Sequence, residues 1–210
     1  MTITIHTFVL GAIKNNTYLV VDNASQQAAL IDPAAPTNQI PELLEEKGYQ
    51  LTYMLVTHAH FDHIGGVKWI QSLSSQHIPV AMHALDLDLW KAGGGSRDFG
   101  FEFDPGPVPD LIVTDGQTLP LGETSLTVLH TPGHSFGHVT YLDLAEKAAF
   151  CGDLIFYHGI GRTDLDVCNE DDLFASIRNK ILTLPDDTVL YPGHGGKTTV
   201  GEERVNNPFL

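Results

Sequence analysis

Basic residues are scarce in this chain. Lysine and arginine number 11 against 26 acidic residues, a formal charge of −15. Nucleic acids bind basic faces that neutralise phosphates, so the deficit argues against a nucleic-acid partner and against a ribonuclease. Cysteine is scarcer still, with two in 210 residues, too few for a disulfide framework. Cys151 lies in the apolar run Ala148-Ala149-Phe150-Cys151 and reads as part of a buried strand, and a reducing, cytoplasmic setting fits both thiols. Long apolar runs are missing as well: none approaches the roughly 18 residues of a membrane span. The opening Thr2-Ile3-Thr4-Ile5-His6-Thr7-Phe8 alternates as a strand does, without the basic and apolar regions of an export leader. Neither export nor membrane insertion is expected.

What is present describes a globular chain: 42% hydrophobic and 18% charged residues, with 20 glycines and 12 prolines for tight turns. Its length suits one core, and a single domain over 1–210 is expected. Alternation predicts strands at 2–10, 17–22, 28–32, 51–57 and 78–82, then a hairpin-like stretch over 111–121 and strands at 124–131, 139–144, 148–152 and 188–191. Helical spacing places Ile40, Leu43 and Leu44 on one face between a Thr37 cap and a Gly48 stop. Ile64, Val67, Ile70 and Leu73 predict a second helix directly after His63, and a short one is expected over 84–90. Leu173, Ile177 and Ile181 predict another, capped by Asn169 and ended by Pro185. The aperiodic stretch from Gly93 to Asp110 is long enough to shape a substrate mouth. Within it Phe99, Phe101 and Phe103 alternate as a strand face or packed loop would, an aromatic lid being the alternative.

Histidine is the unusual component: of 11, five stand where metal ligands would. His58 and His60 are two apart on a turn leaving a strand and can point the same way, while Asp62 and His63 open the next helix toward an adjacent spot. One segment thereby offers ligands to two neighbouring ions. His134 follows Thr131-Pro132-Gly133, and His194 follows Tyr191-Pro192-Gly193; in both, Pro and Gly fix a turn after a strand. Asp153 follows Cys151-Gly152 as a lone acid in apolar company, where a metal would supply the missing charge, a helix cap being the alternative. Asp32, at a strand end, either orients a ligand histidine or caps a turn. His6, His77, His83, His130, His138 and His158 lack ligand spacing, His138 being the least clear, and neither cysteine has the neighbouring histidine that activates a nucleophile.

These motifs resemble the metallo-β-lactamase superfamily, whose His-x-His-x-Asp-His run, Pro-Gly-His, later Asp and final His occur here in order. Within it the chain is most similar to the compact bacterial relatives of glyoxalase II, the hydroxyacylglutathione hydrolases. Gly152-Asp153, the run Gly159 to Asp164 and the tail Gly201 to Phe209 carry that likeness. The resemblance implies an α+β fold, an αββα four-layer sandwich of two mixed sheets packed face to face with helices outside and the site at one edge. It implies two divalent ions, zinc first and iron or manganese otherwise, one held by His58, His60 and His134 and one by Asp62, His63 and His194, with Asp153 bridging. A shared water ionised near neutral pH would attack the acyl carbonyl of a small-molecule thioester, possibly a glutathione derivative, with Asp62 and Asp153 as the catalytic carboxylates. A thiolate leaves without a strong general acid. Arg162 would hold a substrate carboxylate, an ordinary surface ion pair being the alternative.

Larger glyoxalase II enzymes carry a C-terminal helical extension with basic residues for glutathione, which this sequence lacks, so weak glutathione binding is expected. Leu165-Asp166-Val167-Cys168-Asn169 also departs from the family's rim. Persulfide dioxygenases of the same fold, with one iron on residues matching His58, His134 and Asp153, are the second reading, and a metal-binding protein without turnover is the third. Lactamases usually carry Cys where Asp153 stands, and flavodiiron reductases Glu where His60 stands; both fit less well.

Overall fold

Alternating apolar residues build two sheets. In a computed structural model, which describes residues 2–210 and leaves Met1 of the expected domain outside the described residues, the first sheet contains β1 (Ile3–Leu10), β2 (Asn15–Asp22), β3 (Gln27–Ile31), β4 (Gln50–Leu55), β5 (Val80–His83) and β6 (Leu111–Val113), in that order. β1 to β3 are antiparallel neighbours and β3 to β6 parallel ones. There follow β7 (Thr118–Leu121), β8 (Thr124–His130), β9 (Val139–Asp143), β10 (Ala148–Gly152), the small hairpin β11 (Ile155–Phe156) with β12 (Gly159–Ile160), then β13 (Val189–Pro192) and β14 (Thr198–Thr199). The second sheet runs β14-β13-β10-β9-β8-β7 and is also mixed, β10 and β13 being parallel. The helices are α1 (Gln39–Lys47), α2 (Phe61–Ile64), α3 (Val67–Leu73), α4 (Leu87–Lys91), α5 (Glu170–Ser176), which continues as a π-helical turn over Ile177–Ile181, and α6 (Val200–Asn206).

Successive side chains of a strand face opposite ways, and this sorts the core into layers. On β2, Tyr18 and Val20 meet Leu126, Tyr141 and Phe150 of the other sheet, while Leu19 and Val21 pack outward with Ile40, Val67, Ile70 and Trp90 of α1, α3 and α4. On β10, Ala148 and Phe150 face the inter-sheet core, while Ala149 and Cys151 pack against Leu173, Ile177 and Ile181. A one-residue slip of either strand would exchange its two faces, so register is tightly specified. The result is the expected αββα sandwich of two mixed sheets.

Three expectations need correction and a fourth is narrowed. The stretch 111–121 is not a hairpin: β6 extends the first sheet beside β5 and β7 joins the second beside β8, with a turn closed by Gln117 N–H donating to Thr114 O between them. Each arm gains a sheet partner that the other could not supply. The helix after His63 is broken at Gly65-Gly66, where a Cβ would lie 2.4 Å from Ala34 O and 2.8 Å from Ala35 O, respectively. This pair packs on the 33–35 backbone, and Leu73, beyond the break, is 49% exposed. Of the readings offered for Phe99, Phe101 and Phe103 the strand fails and the packed loop holds: Ser96–Phe99 is a 3-10 turn, Phe99 and Phe101 each meet the Phe61 ring edge-on at 5.1 Å, and Phe103 packs on the core. Asn38, not Thr37, occupies the first cap position of α1; Thr37 Oγ1 accepts from Gln39 N instead. Among the described residues, no helix is long and apolar enough to cross a membrane.

Candidate metal centre

The histidine and aspartate side chains singled out in the sequence meet where strands of both sheets end. His58 and His60 lie just beyond β4, and Asp62 and His63 on α2; His134 follows β8, Asp153 follows β10 and His194 follows β13. Three groups of donor atoms result, each within 4.8 Å of one another: His58, His60 and His134; Asp62, His63 and His194; and His58, His63 and Asp153. Asp153 lies between the first two, with Oδ1 3.3 Å from His63 Nε2 and Oδ2 3.7 Å from His134 Nε2 and 3.6 Å from His194 Nε2. Close packing here requires glycine at 193, where a Cβ would stand 2.2 Å from Asp153 Oδ1 and 2.6 Å from His63 Cε1.

The outer ring nitrogens of three histidines are engaged away from the centre, and inside it His60 Nδ1 lies 2.9 Å from His134 Nε2. His63 Nδ1 donates to Asp32 Oδ2 at 2.8 Å, and His134 Nδ1 to the Arg162 carbonyl at 3.0 Å. Thr57 Oγ1 spends its proton on Asp32 Oδ2 and therefore accepts from His58 Nδ1 at 3.1 Å. Nε2 of His58, His63 and His134 is thereby turned toward the centre, where a bound ion would take the place of any proton on it, the tautomers being assigned from this pattern. Asp32, 2% exposed, also accepts from Thr57 N at 2.7 Å.

The inner atoms are suited to an ion. His58 Nε2, His63 Nε2 and Asp153 Oδ1 are buried without a hydrogen-bond partner, a condition that costs about 1–3 kcal/mol per group unless something binds it. A set of imidazoles and carboxylates is what zinc takes, and iron and manganese accept it. Burial pushes the His58, His60 and His134 rings down, His60 to about 3, so they stand neutral as ligands must. Burial also opposes ionisation of Asp62 and Asp153, but His63 outweighs it, aided on Asp62 by a hydrogen bond from His194. Asp62 is held at about 2 and Asp153 well below the usual carboxylate range. Against burial, Asp153, Asp62 and Asp32 raise the His63 ring.

Arg162 lies at the rim with its guanidinium on Asp164, Nε to Oδ1 and Nη2 to Oδ2, both at 2.7 Å. Beside it, a cavity of about 270 Å³ reaches His60 between Gly95, Asp98 and Phe99 on one wall and Asp164, Leu165 and Asp166 on the other.

Several supporting residues escaped the sequence reading. Asn16 Nδ2 donates to Pro192 O at 3.0 Å and Gly195 O at 2.9 Å, and Tyr18 OH to Pro192 O at 2.6 Å, so β2 holds the His194 turn. Asn15, fully buried beside it, places Nδ2 3.4 Å from Asp62 Oδ2. Two asparagines entering an apolar strand are the only trace of this in the sequence. Asp86 is buried and accepts from Ala59 N, Ser135 Oγ and Gly137 N. His138 is buried with its ring 5.3 Å from that of His58, yet it belongs to none of the donor groups.

The family model described as "Metallo-beta-lactamase superfamily" matches residues 10–194. Among curated proteins, the chain is 35% identical over 213 residues to "Hydroxyacylglutathione hydrolase GloC" of Haemophilus influenzae, covering 95% of this chain and 94% of that one. Two solved structures are similar throughout. "BLEG-1 B3 metallo-beta-lactamase" is 37% identical with a TM-score of 0.91, covering 99% of both chains. "TTHA1623 in a di-iron-bound form" is 36% identical with a TM-score of 0.87, covering 98% of this chain and all of the other, 100%.

Proposed function

This chain belongs to the metallo-β-lactamase superfamily of metal-dependent hydrolases, and from that footing we propose that it is a two-metal thioesterase of the hydroxyacylglutathione hydrolase kind. The observation that carries the reading is the doubled donor set, with Asp153 between its halves. His58, His60 and His134 would hold one ion, Asp62, His63 and His194 the second, and Asp153 both. A one-iron dioxygenase would, by the resemblance, use only His58, His134 and Asp153, and the second group of donors is our reason for preferring two ions. When bound, a pair of divalent ions, zinc in our reading, supplies Lewis acidity and lowers the pKa of water toward neutrality.

The chain's own residues do the rest. Asp32 and the Arg162 carbonyl hold His63 and His134 with Nε2 turned inward. Asp62 and Asp153 neutralise half the charge of two divalent ions, which leaves the centre attractive to a polarised carbonyl and to developing negative charge. The mouth offers carboxylates at Asp98, Asp164 and Asp166, and Arg162 keeps Asp164 at about 2. A thiolate departs as an anion near neutral pH where an amine does not, so a thioester asks no general acid of this site. GloC of Haemophilus influenzae supports the thioester by its name; the persulfide dioxygenase stays the second reading, and the lactamase named among the similar structures adds β-lactam hydrolysis to what the assay must test.

One assay separates the alternatives. The zinc-loaded protein, without oxygen, is given S-lactoylglutathione and, separately, a chromogenic cephalosporin; the iron-loaded protein is given glutathione persulfide with oxygen. Hydrolysis of the thioester in preference to the lactam is the expected result. Turnover of the lactam or the persulfide with the thioester untouched would overturn it.

A further inference from the structure

Asp86 ends the 3-10 turn Ala84–Asp86 after β5, and only 1% of it is exposed. Its carboxylate spans two loops, Oδ2 meeting both and Oδ1 the second alone. Oδ2 accepts from the backbone N–H of Ala59 at 3.0 Å and from Ser135 Oγ at 2.7 Å; Oδ1 accepts from Gly137 N at 2.6 Å. Ala59 is the residue between His58 and His60, and Ser135 follows His134 directly. One carboxylate therefore joins the loop leaving β4 of the first sheet to the loop leaving β8 of the second, at the point where these loops present three imidazoles to one position.

The residue type follows from the donors. Three neutral donors converge on Asp86, and among the described residues no lysine or arginine pairs with it. A buried charge held only by neutral donors is a costly way to fill the core. Its advantage is geometric: a carboxylate accepts on both oxygens and brings no donor of its own, whereas an amide in either orientation turns an NH2 toward Gly137 N or toward Ala59 N. Gly137 is fitted to it, since a Cβ there would stand 2.7 Å from Asp86 Oδ1.

We propose that Asp86 is a positioning residue for the first ion, fixing the His58–His60 loop and the His134 loop relative to each other so that three ligands from two sheets meet at one geometry. The inference rests on the metal assignment above and not on the thioester. Outer partners of metal ligands typically contribute about 10- to 100-fold in affinity, and the effect here falls on one ion of two, because Asp32 holds His63, Asn15 meets Asp62, and Asn16 and Tyr18 hold the His194 turn.

The test is a cobalt(II) titration of the chelator-stripped full-length chain in competition with a chelating dye, read also by the visible bands of bound cobalt. His134→Ala, which lacks a ligand of the first ion, supplies the reference affinity of the second. In Asp86→Asn one cobalt should bind about 10- to 100-fold more weakly with altered bands, while the other keeps the affinity seen in His134→Ala. Asp88→Asn, in the same stretch with its side chain 98% exposed, should match the wild type. A folded Asp86→Asn protein with both affinities unchanged, or both weakened alike, would overturn the proposal. Should that variant fail to fold, Ser135→Ala, which removes one donor, decides: a weaker first ion supports the proposal and an unchanged one refutes it. A wild-type chain that binds no cobalt would remove the ion to be positioned and the metal assignment with it, whereas a failed thioester assay would touch neither.

Discussion

Asp32 combines two demands that few residues meet. Its φ of 49° is left-handed, a conformation that costs most side chains about 1–2 kcal/mol and that Asn and Asp tolerate best. Its carboxylate takes three donors, from Thr57 N, Thr57 Oγ1 and His63 Nδ1. Asp32→Asn keeps the backbone but opposes one donor with another, so urea unfolding should show a loss of about 1–3 kcal/mol. Asp32→Ala adds the backbone cost and should lose about 1–2 kcal/mol more; Ala as stable as Asn would show that the turn carries no strain. Gly193→Ala, by contrast, should fold and yet lose bound metal as measured by elemental analysis, since its Cβ enters the space of Asp153 and His63. Retention of two ions per chain would show that the turn can yield. The histidine and aspartate cluster was legible because its spacing is chemical: His58-x-His60 and two Pro-Gly-His turns mark it in the sequence. Asp86 was not, because nothing in Ala84-Leu85-Asp86-Leu87-Asp88 separates an acid that is buried from one that is 98% exposed. Only the approach of a second loop, distant in sequence, makes that distinction.

Helix α5 shows how an element end serves the centre. Asn169 caps it, Oδ1 accepting from Asp172 N at 3.1 Å, while the Asn169 N–H donates to Gly133 O at 2.7 Å in the turn that aims His134. Replacement by Ala removes the first bond and spares the second, so Asn169→Ala should cost about 1 kcal/mol by urea unfolding, with Asn169→Asp near neutral. Metal content should hold in both, and loss of metal in the Ala variant would mean that the side chain, not the backbone, sets the turn. This cap and the Leu173, Ile177 and Ile181 face could be read from the sequence because both are local. Apart from the α1 cap, placed one residue early, the errors were non-local. Helical spacing continued through Gly65-Gly66, but the backbone of 33–35 occupies the space a side chain would need. The strands β6 and β7 looked like two arms of one hairpin, since alternation tells that a segment is extended and not which sheet receives it. For Phe99 and Phe101 alternation left strand and packed loop open, and the contacts with the Phe61 ring, distant in sequence, belong to the loop.

The charge of the molecule bears on its substrate. The chain carries −15 in total, and the cavity leading to His60 adds Asp98, Asp164 and Asp166 at close range. At the rim Arg162 spends both arms of its guanidinium on Asp164, so it is not free to take a substrate carboxylate in the same geometry. An anionic thioester must then approach through a repulsive field before it meets the positive centre. Such repulsion extends about 30 Å at 0.01 M salt and about 8 Å at 0.15 M. Raising salt across that range should lower KM for S-lactoylglutathione several-fold and leave kcat unchanged, because the field opposes arrival and not the bond-breaking step. A neutral thioester of similar size should show a flat response. Asp164→Asn should lower KM for the glutathione ester at low salt, both by removing a negative charge and by releasing Arg162. If KM for the anionic ester instead rises with salt, the charge of the bound ions governs the approach, and the acidic mouth plays no part in choosing the thiol carrier.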